Sequence, residues 1–332
     1  MFLSFFLPFF FIQKISSQES DTWGLFQDFQ NTFNKKYDSV DEKHFRFAIF
    51  EKNFYEIIKH NLNPYRNFSM GLNQFADISV DEFKEKYIHG YKTPALKGSG
   101  CKPFTTYPNK ADPSAVDWTE NHVVNPIRDQ GQCGSCWAFA TTANAESVWA
   151  ISKGELYDLS EQFLVDCASG IGYFNQGCNG GQPDSALKYM INNGQYLESV
   201  YPYTATTDKC KTYASHIDIK FSSCYDVTPN NQAILQAAVT QNPVVIAIEA
   251  DTRYFQFYSS GILTDSIKCG TDLDHAVEIV GYGTENGIDY WKVRNSWGES
   301  WGESGYVKIE KSSSTNDPGV CGIAMEPSFI HI

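Results

Sequence analysis

Among the 332 residues, the stretch Cys133-Gly134-Ser135-Cys136-Trp137, with Gln130 just before it, concentrates the most chemistry. Two cysteines at this spacing admit four readings: a thioredoxin-type redox pair, half a zinc site, two structural half-cystines, or one half-cystine beside a nucleophile. A redox pair wants a βαβ context, which the preceding Asn125-Pro126 loop does not supply. Zinc wants a second close pair of ligands, whereas Cys167, Cys178 and Cys210 each stand alone, so no metal site is expected. The Ala-rich stretch from Cys136 to Lys153 reads as a helix with Ser135 as its N-cap and Gly154 past its end. A thiol in the first turn lies where the macrodipole favours the thiolate, below its free pKa of ~8.5. A buried, inert half-cystine remains the other possibility at Cys136.

A thiolate nucleophile needs an imidazole to pair with and to protonate the leaving amine, and that imidazole needs an acceptor to fix its ring. Of the seven histidines, His44, His60 and His89 fall in the N-terminal third, His331 at the tail, and His122 and His216 in polar stretches. His275 alone opens an apolar strand, Ala276 to Val280, and Asn295-Ser296-Trp297-Gly298 follows. The Gly281-Tyr282-Gly283 run after that strand is no dinucleotide fingerprint, since the third glycine and the following helix are missing.

The elements that must position these groups follow from pattern. Phe2 to Ile12 is too short an apolar run to span a bilayer and is followed by polar residues, which predicts a signal peptide over 1–17. Helical spacing runs through Trp23, Phe26, Phe29 and Phe33, then through a second segment opened by Ser39 with Glu42 three residues on. In that segment Glu42, Arg46, Ile49, Phe50, Asn53, Ile57 and Asn61 share one face. Gly71, Asn73, Phe75 and Asp77 alternate at period two and predict an extended stretch. The Pro- and Gly-rich stretch Lys92 to Asp112 reads as a linker. A further helix is expected over Gln182 to Asn192, then strands at Val244–Ile248, Ala276–Val280, Tyr290–Val293 and Tyr306–Ile309. Helices followed by strands indicate an α+β fold of two lobes.

Composition adds exclusions. With 42% hydrophobic and 20% charged residues the chain is globular, not disordered. Its net charge of −13 disfavours nucleic acid and anionic membrane as partners. Nine cysteines in a secretory chain predict disulfides with at least one thiol left over.

Gln130 to Phe139, Asp274-His275-Ala276 and Asn295 to Gly302 together resemble the papain family of cysteine proteases. The face from Glu42 to Asn61 and the Gly71-to-Asp77 motif resemble the propeptides of its cathepsin L-like members. The resemblance implies a papain-like fold, a helical lobe and a β-barrel-like lobe preceded by a helical propeptide. It implies a cysteine endopeptidase with Cys136 as nucleophile, His275 as general acid/base, Asn295 orienting His275, and Gln130 as oxyanion donor. Gly180 and Gly181 would pair with extended substrate, and Gln182, Pro183, Leu273, Asp274, Ala276, Trp297 and Glu326 would line the subsites, Glu326 on the floor of S2. The implied disulfides are Cys133–Cys178, Cys167–Cys210 and Cys269–Cys321, with Cys101 and Cys224 unassigned.

Further expectations come from the same likeness: inhibitory propeptide over 18–111, peptidase over 112–332, no cofactor, and a monomer acting on peptides and proteins in an acidic compartment or after secretion. An ion-paired Asp77 is expected to sense acid during activation. No paired histidines stand between Cys178 and Cys210, which favours an endopeptidase over a dipeptidase. Two rival readings are a catalytically dead papain-like storage or binding protein, which would be expected to have lost Cys136, His275 or Gln130, none of which is lost, and a thiol–disulfide oxidoreductase using Cys133 and Cys136.

Overall fold

The computed structural model describes residues 22–92, 100–109, 111–170, 172–214, 219–264 and 269–332. The expected signal peptide lies outside them. The chain opens with helix α1 (22–32) and α2 (Val40–Asn61). Ser39 caps α2 by accepting the Glu42 N–H, and the Glu42 carboxylate reaches back to the Asp38 N–H at 2.8 Å. Phe26, Phe29 and Phe50 pack ring to ring at 5.1–6.2 Å and bury the contact between the two helices.

The shared face of α2 is a polar clasp. Asn53 Nδ2 donates to the Ala76 and Ile78 carbonyls, Asn61 pairs with both backbone groups of Met70, and Arg46 bridges to Glu82 at 2.7 Å. The stretch it clasps is not the extended strand that period two predicts. Strand β1 is Phe68–Met70, and from Asn73 the chain turns, with Asn73 Oδ1 accepting the Phe75 N–H and its carbonyl the Ala76 N–H. Turns run through 74–78 and bury Phe75, Ala76, Asp77 and Ile78 in succession, so the period-two spacing of Gly71, Asn73, Phe75 and Asp77 does not correspond to a two-faced strand. Helix α3 (Val80–Tyr87) follows, opened by a complete Ser79–Glu82 capping box that sequence reading passed over.

Next come β2 (Lys102–Phe104), β3 (Val116–Asp117) and the central helix α4 (Cys136–Lys153). Ser135 occupies the N-cap position of α4 without capping it; its hydroxyl pairs with the Tyr203 hydroxyl at 2.7 Å instead. Helices α5 (Glu161–Cys167) and α6 (Pro183–Asn193) pack on α4 around Trp137, Leu164, Leu187 and Met190. Then follow β4 (Ser223–Val227), α7 (Gln232–Gln241), β5 (Val244–Ile248), α8 (Arg253–Gln256), β6 (Tyr258–Leu263), β7 (His275–Glu285), β8 (Ile288–Arg294), β9 (Tyr306–Glu310) and β10 (Ser328–His331).

Among the described residues the strands form one sheet in the order β1-β6-β9-β8-β7-β5-β10-β4-β2, with β3 on β7. Gly281 is required where β3 crosses β7, because a Cβ there would lie 2.2 Å from the Val116 carbonyl oxygen. One core fills the sheet side and another the helical side, so the expected two lobes are present. Strand β1 pairs antiparallel with β6, which docks the N-terminal segment onto the sheet lobe.

All three implied disulfides are formed, and a fourth joins Cys101 to Cys224. Cys136 is the free cysteine. The expected linker is thus partly built in: β2 lies parallel to β4 and Phe104 is buried.

Candidate active site

Two elements from different lobes meet at the site. Helix α4 presents Cys136 at its first position, and β7 presents His275 at its first. The Cys136 Sγ accepts the backbone N–H of Ala276 at 3.4 Å, so the thiol lies against the residue next to His275. On its other side His275 Nε2 is 2.8 Å from Asn295 Oδ1. That oxygen also accepts the Ser296 N–H at 2.8 Å, which fixes the amide with its oxygen toward the ring. Nε2 is therefore the donor, and in the neutral ring Nδ1 carries the lone pair. Nδ1 has no hydrogen-bond partner among the described residues.

Trp297 covers the His275–Asn295 bond, its ring stacked on the imidazole at 4.7 Å and 24°. Gln130 is fully buried: Ser296 Oγ donates to its Oε1 at 2.6 Å, and its Nε2 donates to the Cys133 carbonyl at 3.0 Å. One amide hydrogen of Gln130 remains for another acceptor.

The N-terminal segment fills the cleft between the lobes. Gly181 N–H donates to the Gly90 carbonyl at 2.9 Å, Lys92 N–H to the Gly181 carbonyl at 3.0 Å, and Tyr91 N–H to the Asp274 carbonyl at 3.3 Å. Gln182 Nε2 donates to the Lys92 carbonyl at 3.0 Å, while Pro183 opens α6 beside it. A Cβ on Gly90 would come within 2.7 Å of Cys136 Sγ, so only glycine passes over the thiol this closely. Gly180, at φ +105°, likewise faces Lys92 and the Gly90 carbonyl.

The Tyr91 ring enters an apolar pocket of Ala140, Val245, Ala247, Ala276 and Leu273, and its hydroxyl donates to the Glu326 carboxylate. Glu326 thus faces this pocket. Trp297 is sealed from the other side by Phe75 and Phe83, edge-on at 5.6 and 5.3 Å. It therefore shields the histidine and anchors the N-terminal segment in this state. Gly90 and Tyr91 escaped sequence reading; the only signal was a glycine shortly after a short amphipathic helix.

Electrostatics in the covered cleft differ from the expected thiolate. Burial pushes the Cys136 thiol up to about 12, against the lowering pull of the Ala276 and Trp137 N–H groups. Burial also pushes His275 down to about 4, against the Asn295 hydrogen bond. The expectation of a lowered thiol pKa fails for this state because removing water from both groups outweighs the helix dipole. Covered, the pair is neutral. Asp274 is driven up to about 8, chiefly by burial, with Asp251 and Glu249 adding to it.

Comparison with known proteins agrees with this geometry. Residues 112–331 match the papain family cysteine protease domain, and residues 26–83 match the cathepsin propeptide inhibitor domain. Germination-specific cysteine protease 1 of Arabidopsis thaliana is 43% identical over 306 residues, covering 90% of this chain and 80% of its own. Cysteine endopeptidase RepA of rice, Oryza sativa subsp. japonica, is 45% identical over 294 residues, covering 86% and 76%. Among solved structures, digestive procathepsin L 3 of Tenebrio molitor larval midgut superposes with a TM-score of 0.84 at 38% identity, over 94% of this chain and 99% of its own. The chain belongs to the papain family of cysteine proteases, as a cysteine endopeptidase made with its inhibitory propeptide.

Proposed function

We propose that Cys136, His275, Asn295 and Gln130 carry out peptide-bond hydrolysis and that the cleft-filling segment up to Lys92 holds the enzyme silent until it is cut away. The observation that carries this reading is the imidazole fixed through Nε2 on Asn295, with Nδ1 unengaged beside the residue that bonds the Cys136 sulfur.

Once water returns to the cleft, the Sγ proton moves to His275 Nδ1 and the thiolate attacks the scissile carbonyl carbon. The new oxyanion takes hydrogen bonds from the Cys136 N–H and the free Gln130 amide hydrogen. Collapse of the adduct expels the amine, which takes its proton from His275, and leaves a thioester on Cys136. His275 then draws a proton from water, hydroxide adds to the thioester, and loss of the carboxylic acid returns the thiol. Gly180 and Gly181 offer the substrate the close backbone approach that Gly90 uses in the covered form, and Gln182, Leu273, Asp274, Ala276 and Glu326 border it. Cleavage of a peptide amide by the activated chain tests this, with loss of cleavage on thiol alkylation as the expected result. The oxidoreductase alternative is disfavoured because Cys133 is bonded to Cys178.

For localisation, we propose entry to the secretory pathway and action as a monomer in an acidic vacuole or outside the cell. The apolar Phe2 to Ile12 run, four disulfides and the exposed Asn67, which with Phe68 and Ser69 forms an N-glycosylation acceptor motif, support this reading.

Two predictions concern the covered state. Gly90→Ala should push the segment off the thiol, because a Cβ there meets both Sγ and the Gly134 backbone. Overpacking of this kind costs about 1–3 kcal/mol, hence roughly 5- to 150-fold weaker self-inhibition, read as faster maturation at fixed pH. Unchanged maturation kinetics would remove Gly90 from the inhibitory contact.

The second concerns acid. Asp77 is ion-paired, between Lys35 at 2.9 Å and the Tyr37 hydroxyl at 2.9 Å. In the neighbouring pair with Arg46, the Glu82 carboxyl is held below its ordinary value: burial raises it, but the Ser79 N–H and Arg46 outweigh that. A depressed carboxylate contributes stability above its unfolded pKa and loses it as pH falls through the folded one. Glu82→Gln removes that contribution at neutral pH, so maturation should begin at higher pH than in the natural chain. An identical pH profile would discard the Arg46–Glu82 pair as an acid-sensitive clasp.

A further inference from the structure

The cleft-filling segment and the chain that follows it are held by different parts of the molecule. Through Lys92, the N-terminal segment lies on the cleft and on the sheet edge at β6. From Cys101 onward, the contacts are to the far end of the sheet. Cys101 is disulfide-bonded to Cys224 on β4, and β2 pairs parallel with β4 through Lys102 to Tyr225, Pro103 to Asp226 and Phe104 to Val227. Thr228 donates to the Phe104 carbonyl through its N–H and its hydroxyl, both at 3.2 Å. The buried Phe104 ring meets Phe329 edge-on at 5.5 Å and 75°. Tyr107 accepts from Asn231 at 3.4 Å, and Asn109 and Asp112 close a turn. These partners, apart from that turn, all lie beyond residue 112.

This arrangement conflicts with a cut near Asp112, where the papain family domain match begins. A cut there would separate the backbone but leave everything N-terminal to it joined to the peptidase through Cys101–Cys224. It would also sever the outermost strand from its own domain. Stripping β2 away would open the edge of β4, whose other edge pairs with β10, and an open edge invites pairing with another chain.

We infer that the cut that frees the cleft falls N-terminal to Cys101, and that the strap from Cys101 to Asp112 stays with the mature peptidase as a disulfide-locked edge strand. The inference rests on the zymogen reading, and its test has an arm independent of catalysis. In the first arm the proform is matured in acid, quenched with a thiol-reactive epoxide, and its N-terminus and mass are determined with and without reductant. The expected result is a peptidase chain that begins at or before Cys101 and sheds no further fragment on reduction. A mature N-terminus beyond Cys101 would overturn the inference, whether the strap is lost or the inhibitor is released only by reductant. In the second arm, proform carrying Cys136→Ala is digested briefly with an added protease and the cuts are mapped. Cuts between Lys102 and Asp112 are expected about tenfold or more slowly than cuts N-terminal to Cys101, because the strap is paired and cross-linked. Equal or faster cutting within the strap would contradict it, even if the natural chain never matured by itself.

Discussion

Cys136→Ala is expected to give a folded proform that does not mature on its own and, when the propeptide is removed by another protease, shows no peptidase activity above background. Loss of the nucleophile should lower kcat by at least about 10⁴-fold, and His275→Ala should cost about as much, because the two groups act as one unit and their losses do not add. The substitution removes one sulfur from a fully buried site and leaves the backbone N–H of Ala276 without that acceptor. Its effect on stability should stay within about 1–3 kcal/mol, measured by denaturant unfolding of the proform. Residual cleavage within tenfold of the natural enzyme would exclude Cys136 as nucleophile.

Glu326→Ser is expected to cut hydrolysis of substrates with Arg at P2 by roughly 10- to 150-fold while sparing those with Phe at P2. The pocket that takes Tyr91 in the covered form is walled by aliphatic and small side chains, and Glu326 is the carboxylate that meets the ring's polar end. A guanidinium in the same place would exchange that contact for a charge-assisted pair of about 1.5–3 kcal/mol. A Phe ring needs only the apolar walls. The ratio of kcat/KM for Arg-Arg and Phe-Arg peptide amides, in the natural enzyme and the variant, gives the answer; equal losses on both would mean that Glu326 does not read P2. The variant proform also loses the partner of Tyr91, so it should mature faster.

What could be read from the chain alone was the part that the local sequence encodes. Cys136 beside Gly134 and Ser135, His275 at the head of an apolar strand, and Asn295 before Ser296 and Trp297 carry signatures within a few residues of themselves. The structure places them in one cluster. Helix limits were legible for the same reason: Gln182-Pro183 opens α6 and Gly154 closes α4. Long-range pairing was not legible. Cys101 and Cys224 are 123 residues apart, with nothing near either one that names the other. Tyr91 has no local mark of its fit to Glu326, 235 residues on. The spacing of Gly71, Asn73, Phe75 and Asp77 reads as a strand, but the chain turns there and buries Phe75 to Ile78 in succession, so periodicity pointed to the wrong backbone. The protonation state of Cys136 escaped because it depends on how much water the folded propeptide leaves at the thiol, a property of the covered cleft and not of the helix that carries it.

The most direct test is active-site titration of the acid-matured enzyme with an epoxide that alkylates thiolates, followed by mapping of the labelled peptide. One equivalent should be incorporated, in step with the loss of peptidase activity, and all of it on Cys136; the intact proform, its thiol neutral and covered by Gly90, should take up label far more slowly. Label on another residue, or full activity after complete modification of Cys136, would contradict the account.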